Sequence, residues 1–233
     1  MTRPSPVLGI IGGMGPAATV DLMRRLVERT PAEDDADHLH VIVESNPRIP
    51  SRIAHLIEGV GPDPTPELVR IAKNLERAGA SLLAMPCNTA HVYAPAIQEA
   101  VQVPLLDMVQ LTATRLVSRF PGARVGLLSS TAVHLTGLYH SALAKNGLAL
   151  CLPEQQSDVM DIIRLVKCGD TGDDIRARFN DMARALQPNC DVLLVACTEL
   201  SVIAAGLSGG APVVDSQEVL VDAILGSMLP VEE

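Results

Sequence analysis

A chain of 233 residues is long enough for one or two domains and can bury a core without disulfide or metal staples. Its 48% apolar and 19% charged residues exclude a disordered chain, and a net charge of −9 with 2% aromatics argues against a nucleic-acid partner. With no CxxC pair, no histidine pattern for a metal and no apolar run of roughly 18–20 residues, zinc-ribbon, metal-centre and membrane-span readings drop out, and a cytoplasmic protein is expected.

In chain order, Arg3 followed by Val7–Ile11 imitates a short signal peptide, but Pro4, Pro6 and the glycines from Gly9 to Gly15 break that reading. Val7–Ile11 instead predicts a strand, running into the turn Gly12-Gly13-Met14-Gly15-Pro16. Ala17–Arg29 then predicts a helix, with Val20, Met23, Leu26 and Val27 at helical spacing and Pro16 in its first turn. Glu33, Asp34, Asp35 and Asp37 read as a solvated loop. Leu39–Val43 predicts a second strand, followed by the rigid loop Asn46–Arg52, which carries the guanidinium groups of Arg48 and Arg52. Gly59–Pro66 reads as a surface loop and Leu68–Ala78 as a helix closed by Gly79. Ser81–Met85 predicts a third strand and Leu105–Met108 a short fourth. Buried apolar runs alternating with helices indicate parallel sheets covered on both faces.

The pattern then restarts. Arg124–Ser130 echoes Val7–Gly13, Asp191–Thr198 echoes Ser81–Asn88, and Pro212–Asp215 echoes Pro104–Asp107. Three echoes in order, at nearly constant offsets, point to a duplication. The expected fold is α/β, with two similar lobes, each a mainly parallel sheet flanked by helices. A pseudo-two-fold axis relates them, with the site between. Residues 1–108 plus 212–233 form the first lobe and residues 109–211 the second.

Two of the echoes end in cysteine. Met85-Pro86-Cys87-Asn88-Thr89-Ala90-His91 and Val195-Ala196-Cys197-Thr198-Glu199 both leave a buried strand and open a helix. Ligands of open parallel sheets bind beyond the carboxyl ends of the strands. A helix start favours anions and can draw a thiol pKa from about 8.5 toward 7. If the lobes face each other, the two thiols oppose across a cleft, a layout for taking a proton from one face of a carbon and returning it to the other. Cys151, Cys168 and Cys190 read as buried structural cysteines. Asn88, Thr89, Thr198, Ser129, Ser130 and Thr131 follow strand ends, where they could clasp an α-carboxylate or cap helices. Met14, in the glycine turn, is counted with the substrate-binding residues. His91, four residues after Cys87, imitates a thiol-hydrolase partner or gives structural support. Gly13-Met14-Gly15-Pro16-Ala17-Ala18 mimics a dinucleotide fingerprint, but the candidate acid at the end of the second strand, Glu44, lies roughly 30 residues on rather than about 20.

These motifs together resemble the cofactor-independent aspartate/glutamate racemases, on the aspartate side of that family. The marks are Gly9–Pro16, Asn46-Pro47 with Ile49-Pro50 and Arg52, Met85–His91, and Cys197-Thr198-Glu199. The resemblance implies an isomerase without pyridoxal phosphate, usually a homodimer, acting on a small acidic amino acid. It implies Cys87 and Cys197 as the catalytic pair, with Cys197 serving the L and Cys87 the D enantiomer. Arg52 and Lys167 would hold the side-chain carboxylate, and Glu199 and His91 would tune the thiols. Ser51 stands where the family usually has aspartate, and Ala196 where it has glycine. The alternatives are isomerisation or decarboxylation of a small diacid, a non-catalytic holder of an acidic metabolite, and a dinucleotide oxidoreductase.

Overall fold

The computed structural model describes residues 5–207 and 210–229. Arg3 and Pro4 lie outside the described residues, as do the outermost residues assigned to the first lobe. The first sheet has three parallel strands, β1 (Val7–Gly12), β2 (His40–Ser45) and β3 (Leu82–Ala84), in the order β2-β1-β3. The second has four, β4 (Arg124–Ser129), β5 (Ala149–Cys151), β6 (Val192–Ala196) and β7 (Val213–Asp215), in the order β5-β4-β6-β7, again all parallel. The predicted fourth strand, Leu105–Met108, shrinks to a single parallel bridge between Leu83 and Leu105. Helix α4 (Met108–Arg119) takes over there, because the Asp107 carboxylate caps it by accepting the N–H groups of Val109 and Gln110.

The echoes now have physical causes. Gly9 and Gly126 each sit in an inner strand of their sheet, and a Cβ at either would lie 2.7 Å from a packed neighbour, Leu83 Cδ2 or Cys190 Sγ. Asp107 and Asp215 each cap the helix that follows their strand, Asp215 accepting the Gln217 N–H. Val213–Asp215, assigned by sequence to the first lobe, in fact hydrogen-bonds to β6 and forms the edge of the second sheet. The return to the first lobe is made by α10 (Ser216–Met228), whose Leu220, Val221 and Ile224 pack against Leu8, Ile10 and Leu22.

Helix α1 (Pro16–Arg29) forms where expected but turns a different face inward. Val20 and Val27 are exposed, while Ala18, Asp21, Leu22, Arg25 and Leu26 are buried. Two charges on the inner face, Asp21 and Arg25, satisfy each other at 2.7 Å, and that pairing is invisible to an apolar pattern. The remaining helices are α2 (Thr65–Arg77), α3 (Ala94–Ala100), α5 (Thr131–Leu135), α6 (Leu138–Ala144), α7 (Gln156–Lys167), α8 (Asp173–Leu186) and α9 (Thr198–Ile203). Among the described residues no helix is long and apolar enough to cross a membrane.

Candidate active site

Parallel strands aim their carboxyl ends in one direction, so β1, β3, β4 and β6 deliver their following turns to the space between the lobes. Cys87 stands three residues beyond β3, and Cys197 precedes the first residue of α9 directly after β6. Both thiols line one cavity of about 40 Å³, room for a few waters. Met14, Arg52, Thr89, Ser130, Lys167 and Glu199 line it as well. So do Ser51, Ile53 and Ile163, which the sequence did not mark as ligand-binding. Position along the Arg52 loop gave a signal for Ser51 and Ile53; Ile163, on a helix more than a hundred residues away, gave none. A larger groove of about 450 Å³, between α7, α8 and the segment after β5, holds neither thiol.

Four expected site residues are occupied elsewhere. The buried Asn88 side chain donates to Ser216 Oγ at 3.0 Å and accepts from Tyr139 at 2.6 Å. The Thr198 hydroxyl donates to the Pro86 carbonyl across the lobes at 3.1 Å. Thr131 is not on the cavity wall; its backbone N–H lies 3.3 Å from the Met160 sulfur. The His91 ring is fixed by backbone at both nitrogens: Nε2 accepts the Met108 N–H at 3.1 Å, so Nδ1 is the donor to the Cys87 carbonyl at 2.8 Å. Burial lowers the His91 pKa and holds the ring neutral. It therefore pins the cysteine turn without bonding to the thiol. Seam and site draw on the same residue types at the same helix starts, so the sequence could not separate them.

The remaining polar groups define the field around the sulfurs. Glu199 is buried and accepts the Cys197 thiol proton in a hydrogen bond of 3.2 Å to Oε2. Its Oε1 lies 3.8 Å from Lys167 Nζ at the end of α7. Arg52 donates through one terminal nitrogen to the carbonyls of Ile49 and Pro50, which holds the guanidinium at the rim. Thr89 and Ser130 hydroxyls meet across the cleft at 3.2 Å. Contrary to the helix-start expectation, both thiol pKa values are raised. Burial pushes Cys87 up, with Arg52 pulling against it and Glu199 adding to it. Burial also pushes Cys197 well above its ordinary value, and the Glu199 charge and hydrogen bond push further. Desolvation outweighs the Lys167 charge and the Glu199 backbone N–H, which favour the Cys197 thiolate.

The other cysteines split: Cys190 is buried, Cys151 is half-buried and Cys168, at the end of α7, is exposed. Glu44, the acid of the dinucleotide reading, is bound to Arg70 and Asn74 at 2.6 and 3.1 Å. Gly13, at φ +94, is needed because a Cβ would sit 2.4 Å from the Asn46 backbone. Both features of that fingerprint thus serve the fold. Among the described residues no group of three or more His, Cys, Asp or Glu is placed to hold a metal ion.

The chain resembles known racemases in sequence and in fold. The broad-specificity amino-acid racemase RacX of Bacillus subtilis is 25% identical over 228 residues, 96% of this chain and 98% of that protein. The Picrophilus torridus aspartate racemase superposes with a TM-score of 0.87 at 34% identity, over 96% of this chain and 94% of that one. Glutamate racemase from Francisella tularensis, solved with D-glutamate, shares the fold with a TM-score of 0.66 at 17% identity, covering 98% of this chain and 85% of that one. Residues 11–224 match the Asp/Glu/hydantoin racemase model, and the chain belongs to that family.

Proposed function

We propose that this protein is a cofactor-independent amino-acid racemase that interconverts L- and D-aspartate, with glutamate second. The observation that carries the reading is the single cavity lined by both Cys87 and Cys197, with Arg52 and Lys167 beside them. One thiolate takes the Cα proton, breaking C–H and forming S–H. The opposite thiol gives its own proton to the other face of the carbanion and is left as thiolate. Racemisation needs one sulfur ionised and the other protonated. Arg52 favours the Cys87 thiolate, whereas Glu199 opposes ionisation of Cys197. Both thiol pKa values are raised, and of the two Cys87 is the easier to ionise, so it is the base for the D enantiomer with Cys197 as the acid; the L enantiomer requires the reverse. Arg52 supplies charge for a substrate carboxylate, and Lys167 does so in competition with Glu199. Aspartate needs more than the free volume of about 40 Å³, so binding requires the cavity to widen.

The test is uptake of solvent deuterium at Cα of D- or L-aspartate without added cofactor. Cys87→Ser and Cys197→Ser should each lower racemisation by at least about 10³-fold, as expected for loss of one member of a coupled pair. A fully active single variant refutes the two-thiol mechanism. A broader specificity is a second reading, supported by the apolar Ile53 and Ile163 walls and the pairing of Lys167 with Glu199. It predicts exchange into alanine or leucine at rates comparable with aspartate in the same assay.

A further inference from the structure

Tyr93 ends the short turn Thr89–Tyr93 that opens just after Cys87. It is 7% exposed, and its hydroxyl is buried without a hydrogen-bond partner. Such an orphan is rare, because a buried O–H that has lost water and gained nothing is unfavourable. The ring tilts against His55, with centroids 6.2 Å apart. His55 lies in the turn Ala54–Glu58, immediately after the cavity residues Arg52 and Ile53. On its other side Tyr93 shares a hydrophobic cluster with Met14, Ile49 and Cys87. The phenol therefore shares its cluster with the cavity residues Met14 and Cys87 and lies against the turn that follows Arg52 and Ile53.

Of the charges around it, Arg52, Cys87 and Asp63 act on the hydroxyl. Burial pushes its pKa up to about 12, with Asp63 adding and Arg52 opposing, so the group stays an O–H donor throughout the neutral range. Arg52 and a phenol are complementary at one ligand oxygen site, since both donate to a carboxylate while the phenol oxygen can still accept from the guanidinium. Tyr93 does not line the closed cavity, so its hydroxyl reaches a substrate only through a shift of the neighbouring Arg52–Ile53 segment. We propose that Tyr93 is a specificity-determining residue whose hydroxyl completes, with Arg52, the receptor for the carboxylate on the substrate side chain. The proposal rests on the acidic-substrate reading above.

The chain has no tryptophan and two tyrosines, so near-ultraviolet difference spectra on adding L-aspartate report on Tyr93 and Tyr139 alone. The wild-type spectrum should shift on titration, and Tyr93→Phe should abolish the shift. In racemisation assays Tyr93→Phe should raise KM for aspartate roughly 10- to 100-fold, the worth of one hydrogen bond to a charged group, with kcat and the alanine rate within about threefold of wild type. An unchanged aspartate KM overturns the proposal. So does an equal loss on aspartate and alanine, which marks a structural role. If the wild type exchanges no Cα proton, the racemase reading has failed separately. The spectra then still decide: a shift lost in Tyr93→Phe supports the contact, and no shift refutes it.

Discussion

Cys87 and Cys197 occupy equivalent turns but face opposite charges. Arg52 is the strongest group favouring ionisation at Cys87, while the Glu199 carboxylate sits on the Cys197 thiol at 3.2 Å. A carboxylate next to a thiol disfavours the thiolate, so Glu199→Gln should lower the Cys197 pKa, and Lys167, freed from its partner, should lower it further. The sign is then fixed: alkylation of Cys197 by iodoacetamide should begin at lower pH in Glu199→Gln and run several-fold faster near neutrality. Peptide mass spectrometry in a Cys87→Ser background reads this directly. An onset that stays put or moves upward would show that burial alone sets this thiol. The cysteines and Arg52 stood out in the sequence because each motif follows a strand end, where a parallel sheet places its ligands, whereas Glu199 came only with the family resemblance. Of the two readings open for His91, the structure shows structural support, and the sequence could not choose because a histidine four residues after a thiol looks the same whether its nitrogens bond to sulfur or to backbone.

At the scale of elements, α1 carries the clearest disagreement between pattern and structure. Its Arg25 side chain donates to Asp21 at 2.7 Å, to Asp215 at 2.9 Å, to Glu218, and to the Ser201 carbonyl at 2.7 Å. One guanidinium thereby ties α1 of the first lobe to β7, α10 and α9 of the second half of the chain. Ser201 in turn donates to the Asp215 carboxylate at 2.6 Å, and its N–H reaches the Cys197 carbonyl at 3.0 Å. The cluster thus braces the helix that carries Cys197. Arg25→Ala leaves Asp215 buried without its cation and Asp21 with only the half-exposed Arg24, which should cost about 3–5 kcal/mol. Urea unfolding should show that loss as a lower midpoint with an unchanged slope. A loss below about 1 kcal/mol would mean that water reaches the cluster and the brace is weak. Apolar spacing located α1 to within a residue yet gave its inward face incorrectly, because long-range ion pairs let charged side chains occupy core positions.

Across the whole molecule, the duplication was readable because the same packing demands recur: an inner-strand glycine, a strand running to cysteine, and an aspartate that caps the next helix. The seam between the lobes was not readable, since its partners lie far apart in sequence. Asn88 joins Ser216 and Tyr139, Thr198 joins Pro86, and Thr89 joins Ser130. Each of these bonds starts from or ends on a residue within two positions of a catalytic-site cysteine. Fixing the lobes is therefore the same act as fixing the distance and angle between the sulfurs. Asn88 is the most committed of them, being 2% exposed and bonded through both ends of its amide. Asn88→Ala leaves the Tyr139 and Ser216 hydroxyls buried without that partner, at about 2–4 kcal/mol for the two together. It touches neither the thiols nor Arg52, so substrate binding should be largely kept. The turn holding Cys87 should loosen, however, and misplacement near 1 Å can cost about 10²-fold in rate. Asn88→Ala should accordingly lower kcat for aspartate on the order of 10²-fold with KM changed by less than about threefold. A kcat at the wild-type level in a destabilised variant would show that the thiols are aligned by their own strands and not by the seam.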